Sequence, residues 1–138
     1  MTPNTKIDLN YNRIARQQGL DDVARMLFPG NKNHQRVFLA IFVDLKWAEN
    51  QFLPVLEPLA DKEGISHRTL ETVRAKMRRL GIIDHVSRFN PKRGYREGWV
   101  FSTRFERSLV RLGQVIGVCR NNSGENQEKK DRDLHNYL

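Results

Sequence analysis

Two glycines, Gly64 and Gly81, bracket the stretch Ser66 to Leu80, and that punctuation constrains the fold more than any other feature of the chain. The Ser66 hydroxyl suits an N-cap, because it can accept an otherwise orphaned backbone N–H. The spacing then predicts a helix from His67 to Leu80 that ends at Gly81, the residue type that tolerates the left-handed conformation past a helix end. At about 100° per residue, Leu70, Val73, Met77 and Leu80 form one narrow apolar stripe. Upstream, Pro58 suits the first turn of a short helix reaching about Glu63, where its missing N–H costs nothing. Downstream, Ile82 to Phe89 and Trp99 to Thr103 are rich in β-branched and aromatic residues and read as two strands. The polar segment from Asn90 to Gly98 between them reads as a hairpin loop.

The remainder of the 138 residues divides around this centre. Residues 1–12 carry no apolar period. Arg13 to Phe28 reads as helical, with Gly19 able to split it and Pro29-Gly30-Asn31 stopping it. Asn33 to about Glu49 is a strong helix whose apolar arc is wide, which places it either at the centre of the domain or against a second subunit. Gln51 to Leu56 is extended in character, since Pro54 biases Leu53 away from helix. A last helix is expected from Arg104 to about Cys119, with Phe105, Leu109, Leu112, Ile116 and Cys119 on one stripe and Ser102 or Thr103 as its cap. From Arg120 the chain is too polar to offset its ordering entropy, so disorder is expected. The fold class is therefore α+β and mostly helical. The expected organisation is an N-terminal extension with a helix (1–32), a central domain (33–119) and a polar tail (120–138).

Charge is concentrated in one third of the chain. The formal net charge is +8. Ser66 to Arg111 holds twelve Lys or Arg against four acids, so this stretch accounts for all of it. A positive field confined in this way points to a polyanionic partner, because phosphate neutralisation and counterion release dominate nucleic-acid affinity. A basic surface that only maintains solubility is the alternative.

The run from Leu59 and Ala60 through Gly64-Ile65-Ser66 to Leu80-Gly81-Ile82-Ile83, followed by strand, loop and strand, resembles the winged helix-turn-helix superfamily. In that motif a small residue lets two helices touch, as Ala60 does here, and a glycine four residues later makes the turn, as Gly64 does. Apolar residues lock the pair, matching Ile65, Leu70, Val73 and Met77. The likeness covers residues 33–119 and picks out no single family within the superfamily. It implies a winged helix-turn-helix with an extra N-terminal helix and a C-terminal helix, and a function in binding double-stranded DNA.

The outward side of the 67–80 helix carries Arg68, Thr72, Ala75 and Arg79, with Glu71 and Arg78 on one shoulder and Ser66 and His67 at its start. A helix entering the major groove needs such a face, thin in the middle and basic toward its end. Arg68 suits a guanine edge, Thr72 a base or thymine methyl, and Glu71 cytosine N4. A solvated helix face is the plainer reading of the same residues. Lys92, Arg93, Tyr95 and Arg96 near the hairpin tip, with Arg88 at its base, suit the phosphate backbone or the minor groove. The expected function is sequence-preferring duplex binding, as a transcriptional regulator acting as a homodimer through helices 33–49 and 104–119. Replication, partition or architectural DNA binding is the alternative within the class, and a protein-binding or RNA-binding module lies outside it.

No catalytic constellation and no phosphate-loop or dinucleotide fingerprint is visible, so the chain does not read as an enzyme and no cofactor is implied. His34, His67, His85 and His135 lack metal-ligand spacing, and the single cysteine, Cys119, allows no internal disulfide. Cys119 is expected to be buried at an interface, and Trp47 and Trp99 to be anchors in the core or an interface. No small-molecule ligand is identifiable. The longest apolar run, Val37 to Val43, is too short for a membrane span, and the start lacks a secretory signal. A cytoplasmic protein, nucleoid-associated when bound, is expected.

Overall fold

The computed structural model describes residues 4–92 and 94–138, which include every expected site residue except Arg93. Among them are seven α-helices and a three-stranded antiparallel sheet, an α+β architecture. In chain order these are α1 (Tyr11–Ala15), α2 (Leu20–Leu27), α3 (Lys32–Trp47), β1 (Phe52–Leu53), α4 (Pro58–Glu63), α5 (His67–Leu80), β2 (Ile83–Asn90), β3 (Gly94–Phe101), α6 (Arg104–Asn121) and α7 (Gln127–Asp133). The chain divides into two compact units after Arg104.

In the first unit α3 is central, touching α2, α4, α5 and β3. Its wide apolar arc is thereby explained, since Val37, Phe38, Ile41 and Leu45 are all fully buried. Val43 and Trp47 remain exposed on it, so the Trp47 indole is no core anchor. The segment read as an N-terminal extension is integral to this unit. Ala24, Leu27 and Phe28 are buried, and the Phe28 ring lies 5.8 Å from that of Phe38. An amphipathic helix of eight residues is stable only when packed, and α3 supplies the packing.

Both bracketing glycines close their helices in the same way. Gly64 and Gly81 take φ of 65° and 88°. Past each, an isoleucine N–H reaches back to the last helical turn: Ile65 donates to the Ala60 carbonyl at 2.8 Å and Ile82 to the Met77 carbonyl at 2.9 Å. Both isoleucines are buried, which is the apolar contact that accompanies this type of helix end. The boundaries of α5 coincide with those read from the sequence, and the Ser66 hydroxyl accepts the Thr69 N–H at 3.1 Å.

The sheet runs in the order β1-β3-β2. Here the sequence reading is corrected, because β3 starts at Gly94 rather than Trp99. Phe89 pairs with Tyr95 and Arg88 with Arg96, extending the ladder almost to the turn. Polarity had suggested a loop, but a solvated hairpin arm pairs its backbone whatever its side chains. Gly98 is required where β1 joins. A Cβ there would lie 2.5 Å from the Phe52 ring and 2.7 Å from the Leu53 carbonyl oxygen.

In the second unit, α6 reaches Asn121 and has no buried residue. Beyond it, residues expected to be disordered form α7, held by Arg132–Glu128 and Gln127–Asp131 contacts one turn apart. Among the described residues, no helix is long and apolar enough to cross a membrane.

Candidate nucleic-acid interface

The inner side of α5 buries Leu70, Val73 and Met77, which fixes the direction of the opposite side. Ser66, His67, Arg68, Glu71, Thr72, Arg78 and Arg79 are exposed, and Ala75 is half-buried. Ser66 serves the helix itself, through its bond to the Thr69 N–H and a 2.7 Å contact with the Thr69 hydroxyl. Thr72 donates its hydroxyl proton to the Arg68 carbonyl at 2.9 Å, which leaves it only acceptor capacity and a methyl group for any partner. His67 lies 3.8 Å from the Asp61 carboxylate.

Between α5 and the β2–β3 hairpin lies an open groove of about 830 Å³. Glu71, Arg74, Ala75, Arg78 and Arg79 of α5 line one side, and Asp84, His85, Trp99 and Arg104 the other. The cations of the groove and of the outer α5 face are of two kinds. Arg74 donates to the Glu57 carboxylate at 2.8 Å and stacks on the Trp99 ring, 5.1 Å from its centre. The hydrogen bond from Arg74 holds the Glu57 carboxyl below its usual range. Arg104 is likewise paired, with Asp84. Arg68, Arg78 and Arg79 have no acidic partner among the described residues. A guanidinium already bonded to a carboxylate shapes the wall, while an unpaired one is available to a phosphate or a base edge.

The hairpin has two chemically distinct faces. Strand alternation puts His85 and Phe89 on the face of Trp99 and Tyr95, with ring pairs at 4.8 Å for His85–Trp99 and 5.2 Å for Phe89–Tyr95. The opposite face presents Arg88 and Arg96, whose guanidinium groups lie 5.9 and 5.5 Å from the Phe52 ring. This face therefore carries two ring pairs separated by Ser87 and Glu97, while the arginines lie on the other. Phe89 and Tyr95 are 64% and 77% exposed, so both rings are open to a partner. Lys92 is exposed at the turn, and Arg93 lies outside the described residues.

Lys76 was counted in the positive field, yet it is 6% exposed. Its ammonium donates to the Lys6 carbonyl at 2.6 Å and to the Leu27 carbonyl, and lies 4.5 Å from the centre of the Phe28 ring. Burial lowers its pKa and, with the Lys76 charge as the smaller cause, lowers that of His34. This lysine fastens α5 to α2 and the N-terminal segment and adds little to the outer surface.

Of the residues singled out from sequence, those of α5 gather on one exposed face, and the hairpin separates Tyr95 from Arg88 and Arg96. The sequence reading passed over Arg74, Phe89 and Arg104. Two-residue alternation back from Trp99 puts Tyr95 on the same face, but that Phe89 stands opposite it depends on the register with β2. Nothing local in the sequence marks the ion pair of Arg74 with Glu57, 17 residues away. Trp99 is buried, as an anchor should be, and Cys119 is exposed. Among the described residues no cluster of His, Cys, Asp or Glu can hold a metal ion. No family model, curated protein or solved structure matches this chain.

Proposed function

We propose that this chain is a winged helix-turn-helix protein that binds double-stranded DNA and acts as a transcriptional regulator. In this reading α4 and α5 are the paired helices, α5 lies in the major groove, and the β2–β3 hairpin is the wing. The observation that carries it is the set of three arginines without an acidic partner among the described residues, Arg68, Arg78 and Arg79, on the outer face of α5 beside an open groove walled by the hairpin. A helix about 10–12 Å across matches a major groove about 12 Å wide. The groove beside α5 takes the adjoining phosphodiester strand. Arg78 and Arg79 neutralise its phosphates, and Phe89 and Tyr95 pack on its sugars. Arg68, Glu71 and Thr72, nearest the start of α5, read base edges.

The test is a titration of the full chain with random duplex DNA at two salt concentrations, with single-stranded DNA and double-stranded RNA as competitors. The expected result is micromolar or tighter binding that favours duplex DNA, with log K falling by about 0.9 per contacted phosphate per unit of log salt. Binding that is absent, indifferent to salt or stronger for either competitor overturns the reading. Selection from a random duplex pool then tests sequence preference, and a pool that does not converge overturns a specific regulator.

A further inference from the structure

The second unit contains a feature that the DNA reading does not use. Helix α6 is 18 residues long, and none of them is buried. Five of its eight apolar residues nevertheless follow an ordered repeat, while Val110, Val115 and Val118 lie off it. Phe105, Leu109, Leu112, Ile116 and Cys119 recur at alternating steps of four and three, the spacing of a two-heptad coiled-coil seam. Leu112 and Ile116, in the middle of the seam, are 51% and 54% exposed. A side chain built at Gly113 or Gly117 would meet nothing within 4 Å, so the flank of the seam is also open.

We propose that α6 pairs with α6 of a second copy of this chain, antiparallel, with the two-fold axis near Gly113. Charge decides both the occupant and the direction. In an antiparallel pair the residues just after each four-step position face their own equivalents across the axis, which here are Glu106, Gly113 and Arg120. Glu106 of one copy then faces Arg120 of the other, twice by symmetry, and the two Gly113 residues meet at the centre where the backbones approach most closely. Glu106 is the only acid in α6. A parallel pair leaves Arg120 opposite an apolar Val115 and gives Glu106 no basic partner. The seam from Phe105 to Cys119 is only about 21 Å long at 1.5 Å per residue, so it buries less than a standard interface and supports a dissociation constant in the micromolar range. Because α6 supplies both sides, the pairing stands or falls independently of DNA binding. If the DNA reading also holds, a two-fold pair carries two α5 faces, and its target is a two-fold symmetric site.

Sedimentation equilibrium on the full chain, without DNA, tests this. The wild-type chain is expected to be dimeric at about 100 μM and largely monomeric below about 1 μM, whereas Leu112→Glu with Ile116→Glu stays monomeric throughout. Both positions are exposed, so this variant should keep the wild-type circular dichroism. A wild-type monomer at about 100 μM overturns the proposal. Glu106→Arg alone and Arg120→Glu alone should each weaken the dimer roughly fivefold, by replacing two weak exposed attractions with repulsions. The double variant that swaps both charges should restore it. A swap that restores nothing overturns the register. Cys119 reports direction without mutation. An antiparallel pair holds the two Cys119 residues about 18 Å apart along the axis, so mild oxidation should leave the chains unlinked. Rapid disulfide-linked dimer formation overturns the antiparallel arrangement.

Discussion

Helices α5 and α6 are both amphipathic, both basic and both four to five turns long, yet the protein uses them in opposite ways. α5 buries Leu70, Val73, Lys76 and Met77, is capped by Ser66 and closed by Gly81, and has neighbours on its whole inner side. α6 buries nothing. An apolar stripe on a helix is thus a statement that something must cover it, not a statement of what does. For α5 the cover is the rest of its own unit, which frees the other side to meet a charged partner. For α6, on the pairing proposed above, the cover is a second copy of the chain.

The sharpest way to break this contrast is to truncate each stripe. Met77→Ala should cost about 2–5 kcal/mol in chemical denaturation, the range for a buried large-to-small change. Leu112→Ala, measured at a concentration where the chain is monomeric, should change stability by less than about 0.5 kcal/mol, as exposed sites do. Equal losses would mean that α6 is packed after all. Next in size is the contrast between outer faces. Arg68→Ala combined with Arg79→Ala should lower duplex affinity about a hundredfold, from one lost base contact and one lost phosphate contact, with the thermal midpoint unchanged. Arg107→Ala with Arg111→Ala on α6 should lower it by roughly threefold or less, the loss of charge outside the proposed contacts. Similar losses at both pairs would dissolve the distinction.

The hairpin beside α5 gives a third comparison. Gly98→Ala forces a methyl into the Phe52 ring and should destabilise the first unit by about 1–3 kcal/mol. Phe52→Ala should relieve only the part due to the ring, because the Leu53 carbonyl oxygen still lies 2.7 Å from the added methyl, and full relief would put the whole strain on the ring. The smallest effect is in pH. His34 has a folded-state pKa below its ordinary 6.5, from burial and then from Lys76. Protonation therefore favours the unfolded chain, and stability falls as pH drops through 6.5 toward the folded value. A thermal midpoint that decreases between about pH 7 and pH 5, with a shallower slope for His34→Gln, is expected. Identical slopes would exclude His34 as a source.

How much was legible in the sequence follows the same division. The limits of α5 were readable because local chemistry sets them: a serine hydroxyl at one end, and a glycine with a following isoleucine at the other. The length of β3 was not, because pairing of Tyr95 and Arg96 with Phe89 and Arg88 depends on the partner strand rather than on their polarity. The N-terminal helices were legible as helices but not as core. Nothing in Leu20 to Phe28 says that α3 lies against it. The site divides likewise. The outer face of α5 follows from its period, whereas the pairing of Arg74 with Glu57 and the burial of Lys76 depend on chain segments 17 and 70 residues away.

The Lys76 bond to the Lys6 carbonyl also bears on how the protein is made. A ribosome delivers Lys6 70 residues before Lys76, a lead of several seconds at about 5–20 residues per second. The carbonyls of Lys6 and Leu27 are thus synthesised before the lysine that binds them, and α5 completes a contact whose acceptors the chain already carries.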